Sequence, residues 1–194
     1  MKTKKTQKIV ITGERLIPEY NKGTDFLYEH LARYLFSSQF VKGKKVIDVG
    51  CGVGYGSKIL KIYGKAKTVD AIDISRNSIK YAKKHYYSKN IFYNIDNAEK
   101  LLTVQNNNMD VAVSFELIEH LKHPRIFLKQ IKRVLKKNGL FIFSTPNKYT
   151  YPKGNPYHIK EYYPEELKQL LKNYFINVDY YYQVFEFSQL MYKT

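Results

Sequence analysis

The segment spanning residues 46–57, VIDVGCGVGYGS, constrains this chain more than any other. Apolar residues flank Asp48, the pattern of a short buried strand. Four glycines follow at alternate positions: Gly50, Gly52, Gly54 and Gly56. Without a Cβ, glycine takes left-handed backbone angles and lets a ligand approach the chain closely. Residues 58–63 then read as the start of a helix. Strand, glycine loop and helix are the parts from which an α/β sheet builds a nucleotide pocket at its carboxyl edge.

The spacing discriminates between kinds of loop. A phosphate-binding P-loop ends in Gly-Lys-Ser/Thr. Here Gly56 is followed by Ser57 and then Lys58, the wrong order. A dinucleotide fingerprint requires G-x-G-x-x-G. Counted from Gly50 its third glycine falls at Tyr55, and counted from Gly52 it falls at Ser57, so neither frame fits. The pattern that fits is D-x-G-x-G-x-G. An acid two residues ahead of the loop suits a cationic ligand end, such as an amino group, and repels a pyrophosphate.

On these residues the segment resembles the first motif of the class I S-adenosylmethionine-dependent methyltransferases. The resemblance implies a doubly wound, Rossmann-like α/β fold with a seven-stranded or slightly shortened, mostly parallel sheet. It implies S-adenosylmethionine as methyl donor, with Asp48, Gly50, Cys51, Gly52 and Gly54 in the cofactor site and Phe115 beside it. Cys51 is the only cysteine, so no internal disulfide forms and a reducing, cytoplasmic setting is expected. Within the loop it reads as a small filler, not a nucleophile.

The chain in order supports the same fold. Its 194 residues suffice for one α/β domain with a sizeable core. Residues 1–41 are expected to form an N-terminal loop and cap helix, and residues 42–194 the methyltransferase domain. The opening residues 1–8 are basic and expected to fray, residues 12–18 read as an ordered loop, and no signal peptide or apolar run of membrane-spanning length is seen. Residues 25–40 carry a helical stripe of Phe26, Leu27, Leu31, Tyr34 and Leu35. By resemblance this helix caps the cofactor cleft, with Arg15, His30, Arg33 and Tyr34 as candidate pocket residues. Strands are expected at residues 46–49, 68–72, 90–95, 110–114 and 140–144, with helices at 115–121, 125–135 and 164–173. The alternation predicts a doubly wound sheet. Two more strands are expected at 175–182 and 183–194.

Asp73 ends the second strand, 25 residues after Asp48. A carboxylate there can accept from both ribose hydroxyls. By resemblance Asp73 takes that role and Ile74 packs on adenine. Resemblance also places an acid-alanine pair after the third strand, on the adenine amine. This chain reads Asp96-Asn97-Ala98, and either Asp96 or Asn97 can accept from that amine.

A second informative stretch is Ser114 to Leu121, SFELIEHL. Glu116, Glu119 and His120 stand at i, i+3 and i+4, one face if helical. Two carboxylates and an imidazole there make a divalent metal site, for Mn, Mg, Fe or Zn. His158, in NPYHIKE, offers a fourth ligand. SFELIEHL, STPN and a histidine ahead of an acidic helix resemble the ubiquinone-biosynthesis-type O-methyltransferases and relatives acting on surface-polysaccharide precursors. E-x-x-E-H with a downstream histidine is shared with the small-RNA terminal 2′-O-methyltransferases. TGERLIP and NPYHIKE lean toward the first branch. In the other scheme the carboxylates tune the cofactor pocket, and His120, His123 or His158 is the general base. A ligating histidine cannot also be that base. His85 reads as surface.

The net charge of +16 points to an anionic partner, although lysine is scattered through the expected surface helices. The expectation is therefore a metal-assisted O-methyltransferase with Glu116, His120 and His158 as catalytic residues. Its acceptor is a small polar or phosphorylated molecule, such as a cell-surface polysaccharide precursor. The competing readings are methylation of an RNA end and a non-catalytic cofactor-binding protein.

Overall fold

The computed structural model of the protein describes residues 16–151 and 155–184. The expected N-terminal loop up to Arg15, and residues 185–194 of the expected last strand, lie outside them.

Five strands form the sheet: β1 (Lys45–Val49), β2 (Thr68–Asp73), β3 (Ile91–Ile95), β4 (Met109–Phe115) and β5 (Leu135–Ser144). Every pair is parallel, in the order β3-β2-β1-β4-β5. This is the expected doubly wound sheet in its shortened form. Strand order reverses between β1 and β4, which opens a crevice at the carboxyl edge.

Alternation along the strands separates two cores. Val46, Val69, Val111 and Val113 face one side, with Leu27, Tyr34, Leu60, Ile79 and Ala82 of the covering helices. Ile47, Val49, Ile72 and Ala112 face the other, with Phe127, Leu128, Ile131 and Leu171. A fully buried side chain of this size stabilises the fold by about 1.5–3 kcal/mol.

The helices on the first side are α1 (Asp25–Ser38), α2 (Tyr55–Ile62) and α3 (Arg76–His85). On the second lie α4 (Pro124–Val134) and α5 (Pro164–Lys172). Local chemistry sets their starts. Thr24 and Ser75 cap α1 and α3 by accepting from the amides of Leu27 and Ser78. Proline opens α4 and α5, where its missing N–H costs no helical bond.

Three expectations need correction. No α-helix forms over residues 115–121. β4 continues through Phe115, Glu116 takes a left-handed φ of 51°, and a single 3₁₀ turn, Ile118–His120, follows. The Glu116 amide donates to the Ser144 carbonyl at 3.2 Å, a tertiary bond that holds the residue in a conformation its own helix would exclude. Residues 175–182 form no strand. Phe175 and Val178 pack on the second core instead, with the Phe175 and Phe141 ring centroids 5.6 Å apart, while Ile176, Tyr181 and Tyr182 are exposed. The Asn138-Gly139 break stands inside β5: Met109 pairs with Leu135 but Val111 with Leu140, so residues 136–139 bulge from the ladder.

Candidate active site

The glycine loop runs from the end of β1 to the start of α2. The amides of Gly50 and Cys51 both donate to the Ile72 carbonyl at 2.9 Å, tying the loop to β2. Gly50, Gly52 and Gly54 all have positive φ, at 79°, 53° and 90°. A Cβ on Gly54 would lie 2.7 Å from that of Ala82 and 2.8 Å from the Tyr93 ring. The Tyr93 hydroxyl also donates to the Gly54 carbonyl, so β3 clamps the loop from below.

Asp48 lies fully buried beneath this loop. Its carboxylate accepts from Ser57 Oγ at 2.6 Å and from the Tyr34 hydroxyl at 3.2 Å. Burial pushes its pKa up to about 7, and the Asp73 charge adds to this against the two hydrogen bonds. Cys51 is buried too, and burial pushes its thiol well above the usual range, which suits a filler and not a nucleophile.

Asp73 closes β2 with both oxygens at work. Oδ2 accepts from the Gly52 amide at 3.0 Å and Oδ1 from the Ser75 amide at 2.7 Å. The residue thus joins the glycine loop to the cap of α3 and stays partly exposed. Ile74 beside it is 67 % exposed, an apolar side chain held in the open at the sheet edge. Asp96, at the end of β3, accepts from the Asn97 amide and from the amide and hydroxyl of Thr103. Those bonds hold its carboxyl below the usual range despite partial burial. Asn97 Oδ1 accepts from the Glu99 amide, and Ala98 is half-buried in the same turn.

The second constellation stands across the crevice. A Cβ on Gly50 would meet Leu117 Cδ2 at 3.1 Å, so the turn after β4 packs directly on the glycine loop. Phe115 lies buried at the end of β4, its ring 4.8 Å from that of Tyr34.

Glu119 is wholly buried. Its Oε2 accepts from Thr145 Oγ1 at 2.9 Å, while Oε1 has no hydrogen-bond partner among the described residues. Burial first, and then the charge of Glu116, push its pKa up. His120 Nδ1 lies 2.9 Å from the Tyr157 carbonyl, and its Nε2 lies 4.0 Å from Glu119 Oε1. The His120 and His158 rings meet edge to face at 4.9 Å between centroids. His158 is fixed by Glu161 Oε1 at Nδ1 (3.1 Å) and Asn155 Nδ2 at Nε2 (3.0 Å). Ligand atoms of Glu119, His120 and His158 lie within 4.8 Å of one another.

Glu116 does not join them. Its left-handed backbone turns its carboxylate to Ser144 Oγ and to Arg33, whose Nη1 lies 3.6 Å away. His123 precedes α4 without a side-chain capping bond and His85 stacks on Tyr81, both outside the group. Of the cap-helix candidates, Tyr34 serves the glycine loop from beneath. His30 Nδ1 meets the Tyr55 hydroxyl at 3.2 Å, and burial with the Arg33 charge pushes its pKa down to about 3. Arg15 lies outside the described residues.

Three supporting residues are not singled out by the sequence reading: Ser57, Thr145 and Tyr93. Thr145 stands in the STPN motif at the end of β5, which marks it in retrospect.

The donor set fits a divalent cation. An orphaned, buried carboxylate oxygen beside two imidazoles is costly unless something positive approaches it. Each imidazole is oriented through its other nitrogen, as ligating histidines usually are. For His158 Nε2 to ligate, Asn155 has to release it.

A family model described as a methyltransferase domain matches residues 24–191. The chain is 30 % identical over 168 residues to a probable S-adenosylmethionine-dependent methyltransferase of Mycobacterium tuberculosis, covering 84 % of this chain and 60 % of that protein. It is 32 % identical over 155 residues to a ubiquinone biosynthesis O-methyltransferase of Coxiella burnetii, covering 71 % and 65 %. A solved S-adenosylmethionine-dependent methyltransferase of Aquifex aeolicus shares the fold, with a TM-score of 0.65 over 82 % of this chain and 88 % of that one, at 23 % identity. The chain belongs to the class I S-adenosylmethionine-dependent methyltransferases. It spans about 60 % of the length of the M. tuberculosis relative. No helix among the described residues is long and apolar enough to cross a membrane.

Proposed function

We propose that the chain is an O-methyltransferase assisted by a divalent cation, with a small polar hydroxyl compound as acceptor, such as a surface-polysaccharide precursor. The observation that carries this reading is the Glu119, His120 and His158 group, set across the crevice from the glycine loop. A C. burnetii relative is named an O-methyltransferase, which agrees with it.

Bound S-adenosylmethionine supplies a methyl group already activated by its sulfonium. Gly50, Gly52 and Gly54 let backbone approach the cofactor closely, and Asp73 accepts from its ribose hydroxyls. Asp48 favours the cationic methionine end once it is ionised. Ile74 offers an apolar surface to adenine, with Asp96, Asn97 and Ala98 at its rim.

The acceptor hydroxyl gives its proton to water, and its oxygen forms a bond to the methyl carbon as the carbon–sulfur bond breaks, leaving S-adenosylhomocysteine. The protein's main contribution is alignment of oxygen, carbon and sulfur. Glu119, His120 and His158 would hold a divalent cation, which would supply Lewis acidity to lower the pKa of the acceptor hydroxyl. Thr145 and Tyr157 hold two of those side chains in place. Glu116 orders the wall between Arg33 and Ser144.

The test is methyl transfer before and after chelation, with Mn or Mg then restored. Loss and recovery are expected. Activity indifferent to chelator would remove the cation from the scheme and leave deprotonation of the acceptor hydroxyl to a histidine.

A further inference from the structure

A cavity of about 320 Å³ opens beside His158, lined by Lys148, Asn155, His158, Ile159, Lys160 and Glu161. We infer that this cavity holds an anionic group of the acceptor, a phosphate or a carboxylate, between Lys148 and Lys160, so that the acceptor hydroxyl is presented to the Glu119, His120 and His158 group. The inference rests on the proposed methyl-transfer site and names the class of molecule that it takes.

Position argues first. His158 belongs both to the cavity wall and to the cation-binding group. A molecule filling the cavity therefore touches the group directly. The volume is at the small end of ligand sites, the size class of a small metabolite.

The lining argues next. Ile159 is its one apolar side chain. An apolar acceptor would have to displace water from ammonium and amide groups without replacing the lost hydrogen bonds.

Charge then sets the sign. Glu161 is engaged with His158 at 3.1 Å. Lys160 reaches Glu166 at 3.6 Å, but that pair is about half exposed on both sides and so holds the ammonium weakly. Among the described residues Lys148 has no carboxylate within ion-pair distance; its Nζ stands over the Tyr163 ring, 4.5 Å from the centroid. With Lys148 and Lys160 set against the Glu161 carboxylate and a neutral His158, the lining side chains carry one net positive charge.

Both lysines are placed by backbone bonds to the site's own framework. The Lys148 amide donates to the Tyr162 carbonyl at 3.1 Å. The Ile159 and Lys160 amides donate to the Glu119 carbonyl at 2.8 and 3.1 Å. Lys160 is thus registered to the backbone of Glu119, whose buried side chain belongs to the proposed cation-binding group.

The experiment is a titration of the full chain, saturated with S-adenosylmethionine, with inorganic phosphate and separately with acetate at constant ionic strength. Histidine imidazole resonances are followed by NMR. A saturable shift of the His158 signal is expected, weakened roughly tenfold by Lys148→Ala and unchanged by Lys122→Ala at an exposed lysine outside the cavity. Tighter phosphate assigns a phosphoryl acceptor and tighter acetate a carboxylate. Protein that binds S-adenosylmethionine while neither anion moves His158, or while Lys148→Ala changes nothing, overturns the inference and leaves the methyltransferase reading intact. Protein that fails to bind S-adenosylmethionine refutes that reading instead.

Discussion

The Tyr34 hydroxyl lies 3.2 Å from Asp48 Oδ1, which joins the cap helix α1 to the strand beneath the glycine loop. Both residues are buried. The Tyr34 ring also fills the space beside Gly56, where a Cβ would come within 2.0 Å of it. Docking of α1 and the shape of the cofactor loop are therefore one packing problem. Tyr34→Phe keeps the ring and removes the hydroxyl, leaving Asp48 with Ser57 alone. The expected cost is about 1 kcal/mol of stability, with several-fold weaker S-adenosylmethionine binding, read by urea unfolding and calorimetry.

Gly56→Ala tests the same contact by filling it. Gly56 stands in α2 without a left-handed angle, so the penalty is steric and not conformational. Overpacking of this kind costs about 1–3 kcal/mol. Combining it with Tyr34→Ala should recover part of the loss, and a double-mutant cycle of unfolding free energies measures the coupling. Strict additivity would show that the ring does not set the loop.

Asp48 makes stability depend on pH with a defined sign. Its folded pKa is raised to about 7 by burial, against about 3.9 unfolded. The folded chain therefore binds the extra proton. The contribution favours folding below about pH 3.9 and is lost as pH rises through about 7. His30 acts in the opposite direction, because its folded pKa is near 3. Neutral His30 supports the fold above its unfolded pKa of about 6.5, and that support is lost as pH falls toward the folded value. Comparison with Asp48→Asn isolates the aspartate. Between about pH 5 and pH 7 the stability of the wild type relative to that variant should fall by up to about 1.4 kcal/mol per pH unit. Parallel curves would contradict the buried, protonated Asp48.

The proposed cation-binding group separates Glu119 from Glu116. Mn(II) binding, followed by electron paramagnetic resonance, should weaken at least roughly tenfold in Glu119→Gln and in His158→Ala. Glu116→Gln should weaken it less, since its carboxylate is turned to Ser144 and Arg33. Equal losses at both glutamates would restore the four-ligand site expected from E-x-x-E-H.

The strands were legible because parallel sheet interiors are apolar runs bounded by glycine or polar turns. β1 to β4 stand within a residue of the spans read from the chain. The glycine loop was legible for a related reason: positive φ at Gly50, Gly52 and Gly54 excludes most other residues. Glu116 was not. Its i, i+3, i+4 relation to Glu119 and His120 is helical spacing, yet a bond to Ser144, 28 residues away, sets its backbone. Long-range bonds leave no periodic trace. The stretch 175–182 failed similarly: alternation describes a strand's faces and does not supply the neighbouring ladder.

Calorimetric titration of the full chain with S-adenosylmethionine and S-adenosylhomocysteine tests most directly whether the glycine loop and Asp73 form a methyl-donor site. The expected result is saturable one-to-one binding of both ligands, sharply weakened in Asp73→Ala under conditions where that variant remains folded. Absence of binding to either ligand by the folded wild-type chain, or undiminished binding by Asp73→Ala, would contradict it.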